Sequence, residues 1–275
     1  MSGQPQHFPS PPANPVTPIP AASTVVLRDG PDGIEALMVQ RHDKMHFAGA
    51  LVFPGGKLEK GDAHPDLLAR VRTGRDMAPD RLALALAAIR EAFEETGILM
   101  AYRRGSDTYL TKDEVLALET QRVALAKDDL SLVEFAAAED LEFTPDELVH
   151  YAHWIAPLTA KVRFDTLFFL AEAPKGQLAR HDGLESVDSI WVRPERALET
   201  VEQGKYRLMF PTHMNLIKLV GYATVADAMT AMRRETVQTV MPVFDPHAPG
   251  GPVVRIPAGS GYAITEMPSG RYINA

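Results

Sequence analysis

Apolar and polar positions along this chain repeat with two different periods, and the changes of period mark its elements. Residues 24–27 (Thr-Val-Val-Leu) and 34–41 read as two strands, separated by the turn sequence Asp29-Gly30-Pro31-Asp32-Gly33. Residues 42–49 read as a loop, and 50–53 as a short strand entering Gly55-Gly56. From Pro79 the period becomes helical. At about 100° per residue, Leu82, Leu86, Ile89 and Phe93 share one apolar stripe. Pro79-Asp80 suits the first turn of that helix, and Gly97 stands where a left-handed terminating residue is wanted. Residues 65–72 predict a short helix before it, ended at Gly74-Arg75-Asp76. Residues 112–126 predict a helix after it, and Ser131 with Glu134 has the form of a capping box opening another. From residue 149 the pattern returns to strands, at 149–155, 163–171 and 186–192. Helices at 194–202 and 211–220 follow, each opened by proline, with a third at 225–234. The last forty residues carry short apolar runs at 237–243 and 253–256. This order predicts a mixed sheet with helices on both faces.

Composition adds boundaries to that picture. Residues 1–20 hold seven prolines among Ser, Gln and Asn, which favours a disordered tail. The 275 residues suit one enlarged domain or one domain with appendages. With no cysteine, disulfides, thiol catalysis and thiolate zinc sites are excluded. A net charge of −8 argues against a nonspecific grip on nucleic acid. Phosphates can still be bound where a metal and a few arginines make the local charge positive. No apolar run reaches the roughly 20 residues that span a bilayer. No signal peptide is visible at the N-terminus, so the expected location is cytoplasmic. A two-fold homodimer is the expected assembly if the chain self-associates.

The chemistry concentrates on the long helix. Glu91, Glu94 and Glu95 lie roughly opposite its apolar stripe and are i,i+3 and i,i+4 neighbours, so their charges repel. Arg90 can pair Glu94, which leaves two carboxylates for a hard divalent cation. Mg²⁺ or Mn²⁺ fits, since such ions take carboxylate oxygens and keep water or phosphate in their other positions. A charged solvated helix face would explain an isolated Glu-Glu pair. Three carboxylates with Arg90, Gly97 and the upstream Pro54-Gly55-Gly56 make that explanation weaker. Glycine at 55 and 56 lets backbone approach a ligand closely, but Gly55-Gly56-Lys57 lacks Walker spacing. Neither a Gly-x-Ser-x-Gly elbow nor a His-Glu-x-x-His zinc motif is present. His42 and His46 read as rim residues, and Trp154, Trp191, Phe164, Phe168 and Phe169 as core.

Gly56, Arg90, Glu91, Glu94, Glu95, Gly97 and Ile98 resemble the Nudix box, the signature of hydrolases of a diphosphate linked to another moiety. Ala92 replaces a larger aliphatic residue, and the 34 positions from Gly56 to Arg90 are about twenty more than the compact pattern. Asp62 falls where the pattern has its early glutamate. The resemblance implies an α+β fold, a Nudix-type α-β-α sandwich. It would have a mixed sheet, a helical insertion and a C-terminal extension. The expected division is a tail at 1–20, a domain at 21–220 with its insertion at about 60–80 and a helical segment at about 111–140, and an extension at 221–275.

A narrower resemblance rests on residues 47–56, on Arg163-Phe164-Asp165-Thr166-Leu167-Phe168-Phe169, on His181-Asp182-Gly183-Leu184-Glu185 and on Pro211-Thr212. It points to the insertion-bearing branch that includes peroxisomal coenzyme A diphosphatases of animals. Arg41 corresponds to the first of two arginines before the box, one residue out of register, and Met45 stands near the second. The chain ends Ile273-Asn274-Ala275, without a peroxisomal tripeptide. The candidate catalytic residues are therefore Arg90, Glu91, Glu94 and Glu95, the three glutamates being candidate ligands of Mg²⁺ or Mn²⁺. The candidate substrate-binding residues are Arg41, Gly55, Gly56, Arg163 and Glu185. Arg163 reads either as a phosphate contact or as a partner of Asp165. Glu185 reads as a metal ligand, a base or a surface acid. The expected activity is divalent-metal-dependent cleavage of a phosphoanhydride in a small nucleoside diphosphate derivative, with coenzyme A or acyl-CoA among the candidates. The alternative is a Nudix-fold nucleotide-binding or sensing module without turnover. Neither reading calls for nucleic acid or a membrane as partner.

Overall fold

The strand expected at 24–27 extends in both directions because both of its edges are paired. The computed structural model describes residues 12–41, 49–180 and 186–269. In it β1 spans Ile19–Gly30 and turns directly into β2 (Gly33–Arg41). The first two residues of β1 fall inside the segment expected to be a tail. Pro20 is held there through its carbonyl, which accepts from the Leu58 N–H at 2.9 Å. Two short strands follow, β3 (Ala50–Val52) and β4 (Gly55–Lys57), then a 3₁₀ turn at Lys60–Ala63.

Helix α1 covers only Pro65–Leu68 of the expected 65–72. Its continuation is diverted: Val71 bridges Phe143, and the Arg72 N–H donates to Phe143 O at 2.8 Å. Helix α2 is Pro79–Thr96. The next elements are β5 (Tyr102–Arg103), α3 (Lys112–Ala117), α4 (Glu119–Leu125), α5 (Leu132–Ala138) and β6 (Leu141–Glu142). The single helix expected at 112–126 is thus two. Leu118 breaks it, turning a buried side chain inward while its N–H makes a tight bond to Val115 O. The Ser131–Glu134 capping box forms as expected and starts α5.

Strands β7 (Val149–Ile155), β8 (Phe164–Glu172) and β9 (Ser186–Val192) come next. They are followed by α6 (Pro194–Glu202), β10 (Arg207–Leu208), α7 (Phe210–Leu219) and α8 (Val225–Arg234). The chain closes with β11 (Thr239–Val240) and a small antiparallel sheet of β12 (Val243–Asp245), β13 (Val253–Arg255) and β14 (Glu266–Pro268).

Among the described residues the main sheet has nine strands, in the path β10-β3-β2-β1-β8-β7-β11, with β4 beside β1 and β9 beside β2. It is mixed: β1 runs parallel to β8, β3 to β10 and β7 to β11, and the other pairs are antiparallel. Alternation along each strand serves two cores. Ala22 and Val26 face α2 and the helices after it, while Val25 and Leu27 face α6, α7 and α8. This is the expected α-β-α sandwich. Residues beyond 220 belong to it, since β11 extends the main sheet and Val254, Ile256 and Tyr262 join the second core. Among the described residues no helix is long and apolar enough to cross a membrane.

Candidate active site on the acidic helix

Helix α2 is built to be enclosed. Pro79 sits in its first turn, and alanine at 83, 85, 87, 88 and 92 combines high helix propensity with little bulk. The sheet can therefore press close: Thr24 Oγ1 of β1 donates to Ala88 O at 2.8 Å. Every residue from Leu82 to Thr96 is buried. The carboxylate face is therefore covered by other parts of the chain, which is not the solvated face of an ordinary charged helix. Glu91, Glu94 and Glu95 are 9%, 9% and 7% exposed.

Part of the cover is the glycine strand β4. The Gly55 N–H donates to Glu95 Oε2 at 3.1 Å. A Cβ on Gly56 would lie 2.2 Å from Glu91 Oε1, and one on Gly55 would lie 2.4 Å from Ala22 O. Gly55 is therefore a steric requirement of the backbone, and a side chain at Gly56 would displace the Glu91 carboxylate. The two glycines let the strand lie between β1 and the carboxylates.

Arg90 organises the rest. Its guanidinium, 2% exposed, donates to Asp62 through Nε at 3.0 Å and Nη2 at 3.2 Å, and to Lys57 O at 2.9 Å. Its Nη1 reaches Glu91 at 2.9 Å and Glu94 at 3.2 Å, with Glu59 at 3.4 Å. One cation is thus shared among four carboxylates. Asp62 is fully buried and also accepts from the Glu59 N–H at 2.8 Å. The roughly twenty extra residues are looped out between Asp62 and Arg90, which stay in contact across the insertion. Burial alone would lower the Arg90 pKa, but Glu91, Asp62 and Glu94 hold it above its ordinary value. Burial pushes Glu94 up to about 8; Arg90 pulls it back and Glu91 pushes it further.

The C-terminus of α2 is closed by Gly97, at φ 72°, whose N–H donates to Phe93 O at 2.8 Å. A residue absent from the sequence candidates also appears there. Arg122 of α4, 3% exposed, donates to Glu94 O at 2.7 Å. Its only legible signal was the three-residue spacing from Glu119, an ordinary surface ion-pair pattern.

Arg163 corrects the sequence reading. It is buried, with its guanidinium donating to Ala156 O at 3.0 Å and Val16 O at 2.8 Å. Backbone carbonyls outside the ladder need donors, so Arg163 clamps chain segments together and does not pair with Asp165. Asp165 is engaged by His153 at 2.5 Å instead. Phe164 is 37% exposed, while Phe168 and Phe169 are core as expected. Trp154 is core too, but Trp191 is only part-buried, with the Arg28 guanidinium 4.4 Å from its ring centre. Arg41 closes β2 opposite Ser186, and its side chain lies outside what the structure describes. Glu185, with the rest of 181–185, and His42, Met45 and His46 also lie outside the described residues. Among the described residues no three His, Cys, Asp or Glu side chains form a ready-made metal cage.

The sandwich, and the acidic helix after a glycine strand, place the molecule in the Nudix class. A NUDIX hydrolase from Alicyclobacillus acidocaldarius has a similar solved structure, with 30% identity and a TM-score of 0.66. The match covers 80% of this chain and 99% of that one. Within the class, the chain belongs to the family of the NUDT19 Nudix domain, whose sequence profile matches residues 63–219. It is 27% identical to the acyl-coenzyme A diphosphatase NUDT19 of Homo sapiens over 76% of this chain, and 23% identical to that of Xenopus laevis over 70%. The chain spans 66% and 61% of the length of those two curated relatives.

Proposed function

We propose that this protein is a divalent-metal-dependent hydrolase that cleaves a phosphoanhydride in a nucleoside diphosphate linked to another moiety, with coenzyme A or acyl-CoA as its substrate. The observation that carries the reading is the burial of Glu91, Glu94 and Glu95 together, the first two sharing the Arg90 guanidinium and the third held by the Gly55 N–H. The donor set is all hard oxygen, short of positive charge, and fits Mg²⁺ or Mn²⁺. Nudix hydrolases generally use divalent ions. Without a ready-made cage, such an ion would keep water and substrate phosphate among its ligands. When bound, it would neutralise the diphosphate and lower the pKa of the attacking water.

The chain's own residues have distinct parts. Glu91, Glu94 and Glu95 would hold the ion, and one of these carboxylates takes the proton of the attacking water. Arg90 orients Glu91 and Glu94 by hydrogen bonds, with Asp62 fixing the other edge of its guanidinium. Gly55 and Gly56 let the diphosphate approach the backbone, and Arg41 is the candidate contact for a substrate phosphate. Water adds at one phosphorus, the bridging P–O bond breaks, and two phosphate monoesters leave. The similarity to the acyl-coenzyme A diphosphatases NUDT19 supports the coenzyme A assignment. The reading is completed by a cytoplasmic location, a two-fold dimer and, given the net charge of −8, no nucleic-acid partner.

The test is mass-spectrometric product analysis with Mg²⁺ or Mn²⁺ and a panel of coenzyme A, acyl-CoA, ADP-ribose, a nucleotide sugar and a dinucleotide. Wild type is expected to release 4′-phosphopantetheine or its acylated form, and Glu95→Gln to release none. Tight binding of a panel member without any product would instead identify a nucleotide-sensing module.

A further inference from the structure

We propose that Arg122 is a positioning residue for Glu94 and Glu95, and that the helical segment following α2 serves the acidic helix through it. The proposal rests on the hydrolase reading above. Helix ends leave their last carbonyls without intrahelical donors. At the end of α2 these carbonyls are provided for from three directions. Phe93 O accepts from the Gly97 N–H at 2.8 Å, and Thr96 O from the Arg180 N–H at 2.7 Å. Glu94 O accepts from Arg122 Nη1 at 2.7 Å. Of the three donors only Arg122 is charged. A charged donor makes the stronger bond and complements the negative end of the helix dipole.

The geometry explains why an arginine stands there. Nε and Nη2 of Arg122 grip Glu119 at 3.0 and 2.6 Å, leaving Nη1 aimed at Glu94 O. A planar fork can hold one carboxylate and one carbonyl together, which a lysine ammonium cannot reproduce at both distances. α4 is anchored behind it by the buried Leu125. The bonded carbonyl belongs to Glu94 itself and to the peptide unit that leads into Glu95. Fixing that peptide fixes the directions from which both side chains leave the backbone. Glu95 is then held at its tip by Gly55. Arg122 meets α2 at this carbonyl, so it acts on the chemistry through the helix backbone.

The test compares Arg122→Ala, Arg122→Lys, Glu119→Gln and a control, Leu118→Ala, which removes a core side chain from the same segment but no hydrogen bond to α2. Three readouts are taken: Mn²⁺ affinity by electron paramagnetic resonance, amide hydrogen exchange over residues 94–98, and kcat and KM with coenzyme A. Arg122→Ala is expected to weaken Mn²⁺ binding and lower kcat by about 10-fold, as for other outer-shell partners of metal ligands. KM should stay unchanged and exchange at 94–98 should speed up. Arg122→Lys should restore part of each loss, and Glu119→Gln should show a smaller version of it. Leu118→Ala should lower the melting temperature and leave Mn²⁺ affinity alone. Wild-type Mn²⁺ affinity and exchange in Arg122→Ala would overturn the proposal, as would Leu118→Ala reproducing all its effects. If the wild type binds Mn²⁺ but leaves coenzyme A intact, affinity and exchange still decide. If it neither binds Mn²⁺ nor cleaves coenzyme A, the hydrolase reading itself fails, and the positioning role with it.

Discussion

The two faces of the central sheet bury polar groups in opposite ways. On the α2 face they are ionic: Asp62, Arg90, Glu91, Glu94, Glu95 and Arg122 are all under 10% exposed. On the other face the buried hydroxyls, indole and amide around β7 and α7 bond mainly to one another, and the single ammonium beside them, Lys218, is paired with Glu235 at the rim. Tyr262 donates to Asn215 Oδ1 at 2.6 Å, Trp154 Nε1 donates to the Tyr262 hydroxyl at 2.9 Å, and Tyr151 donates to Asn215 O at 2.6 Å. Burial keeps the Tyr151 and Tyr262 hydroxyls well above their ordinary pKa, so both stay neutral. A sheet that only needed its layers fixed could use the second arrangement twice. Clustered buried carboxylates cost desolvation and mutual repulsion. Their concentration on one helix is the local conflict expected of a functional site.

Breaking the ionic face should have the largest effect. Arg90→Ala leaves Asp62, Glu91 and Glu94 without their shared cation, and is expected to cost about 3–5 kcal/mol in urea unfolding along with activity. Breaking the neutral face should cost less and spare the chemistry. Tyr262→Phe removes one buried donor and leaves Asn215 Oδ1 and Trp154 Nε1 short of a partner, for about 1–3 kcal/mol at unchanged kcat. A smaller effect sharpens the comparison through pH. His150 on β7 packs against Phe169. Burial first, then Arg81 and His153, pull its pKa from 6.5 down to about 4. The unfolded chain therefore takes up a proton that the folded one refuses. The stability from the neutral imidazole is complete above the unfolded pKa and is lost as pH falls towards the folded one. Urea midpoints measured on either side of that window should differ less in His150→Gln than in wild type.

Much of this was legible because it is local. Strand periods, Pro79 and Gly97 delimit β1, β2 and α2, and helical spacing alone gathers Glu91, Glu94 and Glu95. The motif position of Asp62 was legible, but its contact with Arg90 was not, because the insertion hides how the two meet. Contacts set by docking were not legible. Arg122 reaches Glu94 O only because α4 packs under the end of α2, and nothing in Glu119-Thr-Gln-Arg122 announces that. The clamping role of Arg163 was illegible for the converse reason: the acceptors that claim it, Val16 O and Ala156 O, are backbone atoms without a residue signature. The break at Leu118 depends on a core that periodicity does not show.

The most direct measurement is a Mn²⁺ titration, followed by electron paramagnetic resonance, of wild type against the double variant Glu94→Gln/Glu95→Gln, with folding checked by thermal melting. Saturable binding by wild type, lost in a double variant that melts no lower, is the predicted result. Equal Mn²⁺ binding by both proteins would contradict the assignment of the acidic helix as the metal site.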